Sequence, residues 1–241
     1  MTQQTVQTPL ERILLVAAHP DDVDFGAAGS VAAWTSQGIE VSYCIVTDGD
    51  AGGFDEAVSR ADMARIRREE QTAAAGQVGV TDIHWLGHPD GRVTASLELR
   101  RDISRVIRRV RPQRVLSQSP QRNWQRIFAS HPDHLATGEA TLCAVYPDAR
   151  NPFAHPELLA EGFEPHTVAE VWLMGYPEPD VAVDITDTFA RKVAALSCHA
   201  SQVGHREDLE TMLREWASAL AKANGLPEGR LAEVYRVIPT G

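Results

Sequence analysis

The amino-acid sequence predicts an α/β protein with a Rossmann-like, mostly parallel sheet, helices on both faces and an elaborated C-terminal third. The first observation is that apolar runs and longer helical patterns alternate regularly through the first half of the chain, as in strand–helix–strand crossover units. The second is that polar clusters follow three of the apolar runs, at the edge where such sheets bind ligands. The third is a composition of 43% hydrophobic and 23% charged residues, which permits a packed core.

The elements follow from hydrophobic periodicity and from the residues that interrupt it. Short apolar runs predict strands over 13–18, 40–46, 82–87, 114–119, 169–175 and 181–185. Helical spacing predicts helices over 26–37, 57–79, 97–110, 135–145, 187–202 and 205–223. Gly38 and Pro112 stand where two of these helices end. We therefore expect one domain over 10–241, preceded by a loose leader over 1–9 that lacks the pattern of a signal peptide.

The charge balance argues against two classes of partner. The 23 basic and 33 acidic residues give a net charge of −10, which disfavours binding to nucleic acid or to an anionic membrane surface. No apolar run approaches the roughly 18 residues of a membrane span. Cys44, Cys143 and Cys198 form no C-x-x-C pair, so we expect buried thiols and a reducing, cytoplasmic location.

The first polar cluster follows the first predicted strand and reads AHPDDVDFG. His19 and Asp22, three residues apart on a turn, can both reach one divalent ion, which would also offset the repulsion between Asp21 and Asp22. The alternative is a helix-capping turn with a packed histidine. A dinucleotide site is disfavoured, because the loop lacks G-x-G-x-x-G and places three aspartates where a pyrophosphate would lie.

A second cluster, SHPDH, precedes the helix predicted over 135–145. His131 and His134 flank a Pro-Asp pair, so this turn can supply a further ligand and leave one imidazole for acid–base chemistry. Asp133 is expected to orient His131 or His134, or to cap the helix. A third His-Pro-Asp ends at Asp90 and is followed by Gly91, which favours a turn; we expect Asp90 to contact a metal ligand or the substrate.

Together these motifs resemble the LmbE-like, PIG-L-type family of N-acetylglucosaminyl deacetylases. The similar segments are AHPDDVDFGAAGS, TDGDAGG, ARIRREEQTAAAGQVGV, WLGHPDG and SHPDHLATGEA, in the family's order across roughly residues 12–145. The resemblance implies one zinc ion per chain held by His19, Asp22 and His134, with Asp21 as general base and His131 as the imidazole that stabilises the transition state. It also implies that Arg67 contacts substrate and that the chain forms a homo-oligomer, a trimer or a hexamer.

The expected function is that of a zinc-dependent hydrolase that cleaves the amide of a small N-acylated metabolite, with an acetamido sugar or glycoside as the first choice. A set of two histidines and one carboxylate also suits ferrous iron. In this scheme Asp22 holds the ion and a neighbouring Asp21 takes a proton from the attacking water. The donor of the proton to the leaving amine, Asp21 or a protonated His131, stays open at this point.

Three other functions are alternatives. They are a thiol-conjugate amidase of the same family, a metal-binding regulatory protein without catalysis, and a metal phosphoesterase, which typically needs two ions. Candidate pocket residues beyond the motifs are Trp124, Phe128 and His199.

Overall fold

The structure is a computed structural model that describes residues 10–127 and 130–241. The predicted leader over 1–9 and Phe128 lie outside the described residues. The described strands form one sheet with the order β3-β2-β1-β4-β5-β7-β6. Their bounds are β1 Arg12–Ala17, β2 Glu40–Thr47, β3 Asp82–His88, β4 Arg114–Gln118, β5 Glu170–Met174, β6 Val181–Asp184 and β7 Ala232–Pro239. Strands β1 to β5 pair in parallel and β7 runs antiparallel to both of its neighbours, so the mostly parallel sheet is confirmed.

Helices connect these strands. In the described part of the chain they are α1 Asp22–Ser36, α2 Arg60–Gln77, α3 Leu97–Val110, α4 Pro132–Cys143, α5 Pro156–Ala160, α6 Phe189–Ser197, α7 Ala200–Val203 and α8 Leu209–Ala223. A π-type turn over Ala144–Asp148 extends α4, and a 3₁₀ turn over Thr186–Thr188 precedes α6. None of the described helices is long and apolar enough to cross a membrane.

The core lies on both faces of the sheet, as the buried first strand requires. Successive side chains of β1 point to opposite faces, and all are inaccessible to solvent from Ile13 to Ala17. Ile13 and Leu15 pack in the cluster that contains α1, whereas Leu14 and Val16 pack in the cluster that contains α3. A strand covered on both sides has no polar alternation, which is why β1 appears in the sequence as a continuous apolar run.

The first helix begins four residues earlier than the sequence pattern predicts. It starts at Asp22, so the aspartate pair itself forms the helix N-terminus. Gly26 and Gly29 lie inside α1, where other side chains approach closely. A Cβ at Gly29 would lie 2.8 Å from three atoms of the branched Ile185 side chain, and one at Gly26 would lie 2.6 Å from the sulfur of Met174. Packing therefore favours glycine at position 29, whereas at position 26 the flexible Met174 side chain would have to shift.

The C-terminal third differs most from the predicted elements. The helix expected over 187–202 is interrupted between α6 and α7, and β7 was not predicted. The expectation of three buried thiols is correct for Cys44, while Cys143 and Cys198 are partly exposed. Because β7 pairs with β5 and β6, this third of the chain continues the sheet built by the first half.

Candidate active site

The candidate site lies at the carboxyl ends of β1 and β4, which are neighbours in the sheet. The sheet continues to β2 on one side of this pair and to β5 on the other, so the loops after β1 and β4 flank the point where the strand order reverses. Open α/β sheets bind ligands at such a point. A cavity of about 280 Å³ lies there, lined by His19, Asp21, Ala51, Gly52, Arg67, Asp90, Gly91, His131 and His134.

A larger cavity, about 420 Å³, lies at the opposite edge of the sheet, where Arg12, Glu40 and Asp82 begin their strands. Among the described residues, the groupings of histidine and acidic side chains close enough to hold a metal ion all include His19. The smaller cavity is therefore the candidate active site, because His19 lines it and does not line the larger one.

Three side chains bring their donor atoms together at the base of the smaller cavity. His19 Nδ1 lies 3.3 Å from His134 Nε2 and 3.3 Å from Asp22 Oδ2. His134 Nε2 lies 3.0 Å from Asp22 Oδ1. Ligand atoms at about 2.0–2.1 Å from a tetrahedral zinc are separated by about 3.3 Å, so these three residues fit a divalent ion between them. His131 adds a ring nitrogen within 4.8 Å of the other two histidines.

The charges around the donor set favour a cation. Burial by itself lowers the pKa of His19, but the carboxylates around it, led by Asp133 and Asp22, raise that pKa to about 12. Burial raises the pKa of Asp22, and the nearby imidazole of His134 brings it well below its usual range. Negative charge therefore exceeds positive charge at this point, and a proton or a metal ion on the His19 Nδ1 side compensates it.

The other nitrogen of His19 contacts two carboxylates. Its Nε2 lies 3.0 Å from Asp90 Oδ1 and 3.3 Å from Asp133 Oδ2. Such outer carboxylates fix the tautomer and orientation of a ligating histidine. The second oxygen of Asp90 accepts from the backbone N–H of Ala51 at 2.8 Å. Although burial opposes it, the contact with His19 lowers the pKa of Asp90 to about 2, so Asp90 is an ionised acceptor.

These contacts bear on two predictions. Asp90 was expected to contact a metal ligand or the substrate; it contacts His19 of the proposed donor set, and because it also lines the cavity, a contact with substrate stays a prediction. Asp133 was expected to orient His131 or His134, or to cap α4. Its carboxylate instead accepts from the backbone N–H groups of Gly91 and Val93 and contacts His19. The reason is the long-range approach of the loop after β3, which supplies donors that the local sequence does not show.

Asp21 lines the cavity beside the donor set and contacts Arg67. It adopts a left-handed backbone conformation with φ 85°, which costs a non-glycine residue roughly 1–3 kcal/mol. Its Oδ2 accepts from Arg67 Nη2 at 3.0 Å. Burial and the charge of Asp22 raise the pKa of Asp21 to about 7, even though Arg67 opposes the shift. Asp21 therefore has the proton affinity of a base that works near neutral pH.

Arg67 makes structural contacts in addition to the substrate contact that was predicted for it. Its side chain is buried and donates to Pro20 C=O, to Gly49 C=O and to Asp21, so it holds the loop that carries the base. The glycine-rich TDGDAGG segment leaves room for it, because a Cβ at Gly49 or Gly52 would lie within 2.7 Å of the guanidinium. Arg67 also lines the cavity, so a contact with substrate stays a prediction.

His131 caps α4 rather than standing free. Its Nδ1 accepts from the backbone N–H of Asp133 at 3.2 Å. A nitrogen that accepts a hydrogen bond carries no proton, so the remaining proton lies on Nε2. Burial, together with His19 and His134, lowers the pKa of His131. The sequence suggested a protonated imidazole, whereas the structure favours a neutral ring that donates through Nε2.

Other candidates lie away from the cavity wall. His199 is fully buried, and its Nε2 lies 2.9 Å from Asp24 Oδ2. Trp124 is 80% exposed and is not part of the cavity lining. Sequence reasoning did not select Gln71, whose Oε1 accepts from the backbone N–H of Asp21 at 2.8 Å. The available signal was its spacing, four residues after Arg67 on the same helix.

An α/β sheet with a two-histidine, one-carboxylate donor set and a free carboxylate beside it defines the class of a candidate metal-dependent hydrolase. Residues 14–145 match the family model for GlcNAc-PI de-N-acetylase, PIG-L. The chain belongs to this family, as its motifs predicted.

Its relatives include several deacetylases. The chain is 33% identical to diacetylchitobiose deacetylase of Thermococcus kodakarensis over 95% of its own length and 84% of the relative. It is 30% identical to a probable N-acetyl-α-D-glucosaminyl L-malate deacetylase 2 of Bacillus anthracis, over 79% and 80% of the two chains. Its fold matches N,N'-diacetylchitobiose deacetylase of Pyrococcus horikoshii with a TM-score of 0.87 and 30% identity, covering 96% and 85% of the chains.

One similar protein is named for a reaction other than deacetylation. The chain is 29% identical to a 4-oxalmesaconate hydratase of Pseudomonas putida over 83% of its length. Family membership therefore supports a fold and a site but leaves the reaction to be argued from the residues.

Proposed function

We propose that this protein is a metal-dependent N-deacetylase that removes the acetyl group of a small acetamido sugar or glycoside. The observation that carries the proposal is that two adjacent carboxylates make different contacts. Asp22 joins the donor set of His19 and His134, whereas Asp21 points to Arg67 and keeps a pKa near 7. Hydrolysis of an amide needs both a polarising cation and a separate base, and this pair supplies a residue for each task.

The proposed cofactor is one zinc ion held by His19, Asp22 and His134, with ferrous iron as the alternative that the same donors suit. Bound there, the ion supplies a Lewis acid that polarises the amide carbonyl and lowers the pKa of water. Asp90 and Asp133 keep His19 Nδ1 directed at the donor set by holding its Nε2.

The chain's own residues provide the proton transfers. Asp21 accepts a proton from the water that attacks the carbonyl carbon, while Arg67 holds the carboxylate in place. His131 donates a hydrogen bond from Nε2 to the oxygen that becomes negatively charged, an interaction worth about 3–4 kcal/mol in comparable sites. When the C–N bond breaks, the amine needs a proton, and Asp21 holds the one it has just accepted. Because His131 is neutral in this arrangement, Asp21 is the better donor.

Two alternative functions would require a different arrangement of these residues. A purely structural metal site closes all its positions with protein ligands and has no use for a separate carboxylate, Asp21, that Arg67 holds at a strained φ. A phosphoesterase with two ions needs further bridging carboxylates, but Asp90 and Asp133 are already occupied by backbone donors and His19.

The test is release of acetate from a panel that contains N-acetylglucosamine, N,N'-diacetylchitobiose, N-acetylglucosaminyl malate and an acylated thiol conjugate. We expect acetate from at least one of the acetamido sugars, and release at least about 10²-fold slower from the Asp21→Asn variant. Asp180→Asn is the matched control, because Asp180 is exposed, pairs with Arg236 and does not line the cavity. Turnover of the thiol conjugate alone would favour the amidase. An unsaturated dicarboxylic acid is assayed alongside the panel, and its hydration without acetate release from any panel member would refute the proposal in favour of the hydratase activity.

A further inference from the structure

One peptide group of the active-site loop is held on both of its sides by a single helix. The carbonyl of Pro20 accepts from Arg67 Nη2 at 2.5 Å. The N–H of Asp21, on the other side of the same peptide bond, donates to Gln71 Oε1 at 2.8 Å. Arg67 and Gln71 are four residues apart on α2, so both side chains leave the same face of the helix. We call Arg67 and Gln71 the peptide clamp.

The clamped peptide is the one that sets the direction of Asp21. At φ 85° the residue is in a conformation that aspartate adopts only when its surroundings enforce it. Rotation of the Pro20–Asp21 peptide toward an ordinary conformation would swing the Asp21 carboxylate out of its position beside Arg67. The side chain of Arg67 restrains both the carbonyl and the carboxylate, whereas Gln71 is the partner of the N–H.

The amide of Gln71 is oriented in turn by the buried carboxylate of Asp24, which also contacts His199. Its Nε2 donates to Asp24 Oδ2 at 2.8 Å, and the same oxygen lies 2.9 Å from His199 Nε2. A flipped amide would place its oxygen against the Asp24 carboxylate and its NH₂ against the Asp21 N–H, so only one orientation is satisfied. Gln71, Asp24 and His199 all have no exposed surface. Through Asp24 and Gln71, His199 of the C-terminal third is thus connected to Asp21, the proposed general base.

We propose that Gln71 is a positioning residue for the general base, and that Asp24 and His199 position Gln71. The inference rests on the proposed function, because it concerns the rate of a step that Asp21 performs. None of the three residues belongs to the proposed donor set, so removing the amide of Gln71 should leave metal content unchanged. Misplacement of a catalytic group by about 1 Å can cost about 10²-fold in rate.

The first experiment compares Gln71→Met with Gln77→Met. Methionine preserves the length of the side chain and removes both hydrogen bonds of Gln71. Gln77 is exposed near the end of the same helix, so its variant controls for the chemical change. We expect kcat to fall about 10- to 100-fold in Gln71→Met with unchanged KM and metal content, and no change in Gln77→Met. Equal kcat in the two variants would overturn the proposal.

A second experiment separates positioning from a general loss of stability. If Gln71 acts through Asp21, Gln71→Met should have no further effect on kcat in the Asp21→Asn background. Additive losses in the double variant would show that Gln71 acts elsewhere. At the far end of the network, His199→Phe should lower kcat with KM unchanged, and His199→Gln, which retains a donor, should recover part of the loss. Equal kcat in both His199 variants would refute the role of His199.

A third measurement does not depend on activity. In a crystal structure of Gln71→Met we expect the Pro20–Asp21 peptide to have rotated and φ of Asp21 to have left the left-handed region. If Gln71→Met does not fold, Gln71→Asn, which shortens the amide by one methylene, replaces it. An Asp21 that keeps its φ near 85° would overturn the clamp. If the wild-type chain deacetylates no substrate, the proposed function fails, while this structure still decides whether the clamp exists.

Discussion

Nε2 of His19 lies 3.0 Å from the carboxylate of Asp90, a residue that the sequence suggested as a contact of a metal ligand or of the substrate. This pairing leaves Nδ1 of His19 directed toward Asp22 and His134. The orientation of the ring therefore depends on carboxylates outside the turn that carries His19, namely Asp90 after β3 and Asp133 in α4, as well as on Asp22 within it.

Asp90→Asn should weaken metal binding without abolishing it. Loss of an outer carboxylate on a ligating histidine typically costs about 10- to 100-fold in metal affinity. Competition with a chelator measures the change. The matched control is Asp102→Asn, because Asp102 makes the same kind of pair with His88, 3.0 Å away, outside the candidate site. An Asp90→Asn enzyme with wild-type metal affinity and a raised KM would restore the predicted role in substrate binding.

Metal content should follow the three-residue donor set. We expect one divalent ion per chain in the wild type, lost largely in His19→Ala, Asp22→Ala and His134→Ala. His131→Ala should retain the ion, because Nδ1 of His131 accepts from the N–H of Asp133 and Nε2 then carries the ring proton, so neither nitrogen offers a free lone pair. Elemental analysis of aerobic and anaerobic preparations identifies the metal and counts it. Retention in Asp22→Ala together with loss in His131→Ala would mean that the ligand set consists of three histidines.

The site was largely predictable from the sequence because its ligands are close in the chain to the ends of two apolar strands. His19, Asp21 and Asp22 follow β1, and His131 and His134 open α4 after β4. What the sequence could not show is which distant groups hold these residues. Gln71 sits in a charged helix and resembles a solvated residue, yet its amide joins Asp21 to Asp24.

The same limit explains why β7 was not predicted. Its sequence AEVYRVIP places a charged residue, Glu233, among apolar neighbours, which breaks the pattern of a buried strand. Glu233 is nevertheless buried, because Lys192 and Ser30 reach it from elements that are 41 and 203 residues away. Partners at such separations leave no local signal. The oligomeric state stays a prediction, since it depends on contacts between chains.

The buried pair of Glu233 and Lys192 should dominate the polar contribution to stability in the C-terminal third. Glu233 Oε1 lies 2.6 Å from Lys192 Nζ, and Oε2 accepts from the hydroxyl and N–H of Ser30. Glu233→Ala leaves a buried ammonium without its partner, which typically costs about 3–5 kcal/mol. Urea unfolding measures the loss.

The exposed helical pair of Glu210 and Arg214 supplies the control for that measurement. Glu210→Ala should lower the free energy of unfolding by about 0.5 kcal/mol or less. Similar losses in the two variants would contradict the structural role of Glu233.

The thiols should differ in reactivity. Burial raises the pKa of the Cys44 thiol, and its side chain has no exposed surface, so neither thiolate nor reagent access is available in the native protein. We expect Cys44 to stay unlabelled by a thiol-specific reagent at pH 8 until the protein is unfolded. The partly exposed Cys143 should react sooner. Mass spectrometry of partially labelled protein assigns each site, and early labelling of Cys44 would contradict the packed core around β2.

Asp21→Asn tests whether the two adjacent carboxylates have separate roles, Asp21 as general base and Asp22 as metal ligand. Asparagine keeps the shape of the side chain and tolerates the left-handed conformation that residue 21 adopts, so the loop should keep its course. Metal content should stay at one ion per chain, because Asp22 and not Asp21 contacts His19 and His134. The amide cannot accept a proton from the attacking water. General-base assistance is worth about 10²–10⁴-fold, so kcat should fall at least 10²-fold. Acetate release and elemental analysis on the same preparation check both statements. A variant that loses its metal while Asp22→Asn keeps it would exchange the two roles, and full activity of Asp21→Asn would remove the general base from the mechanism.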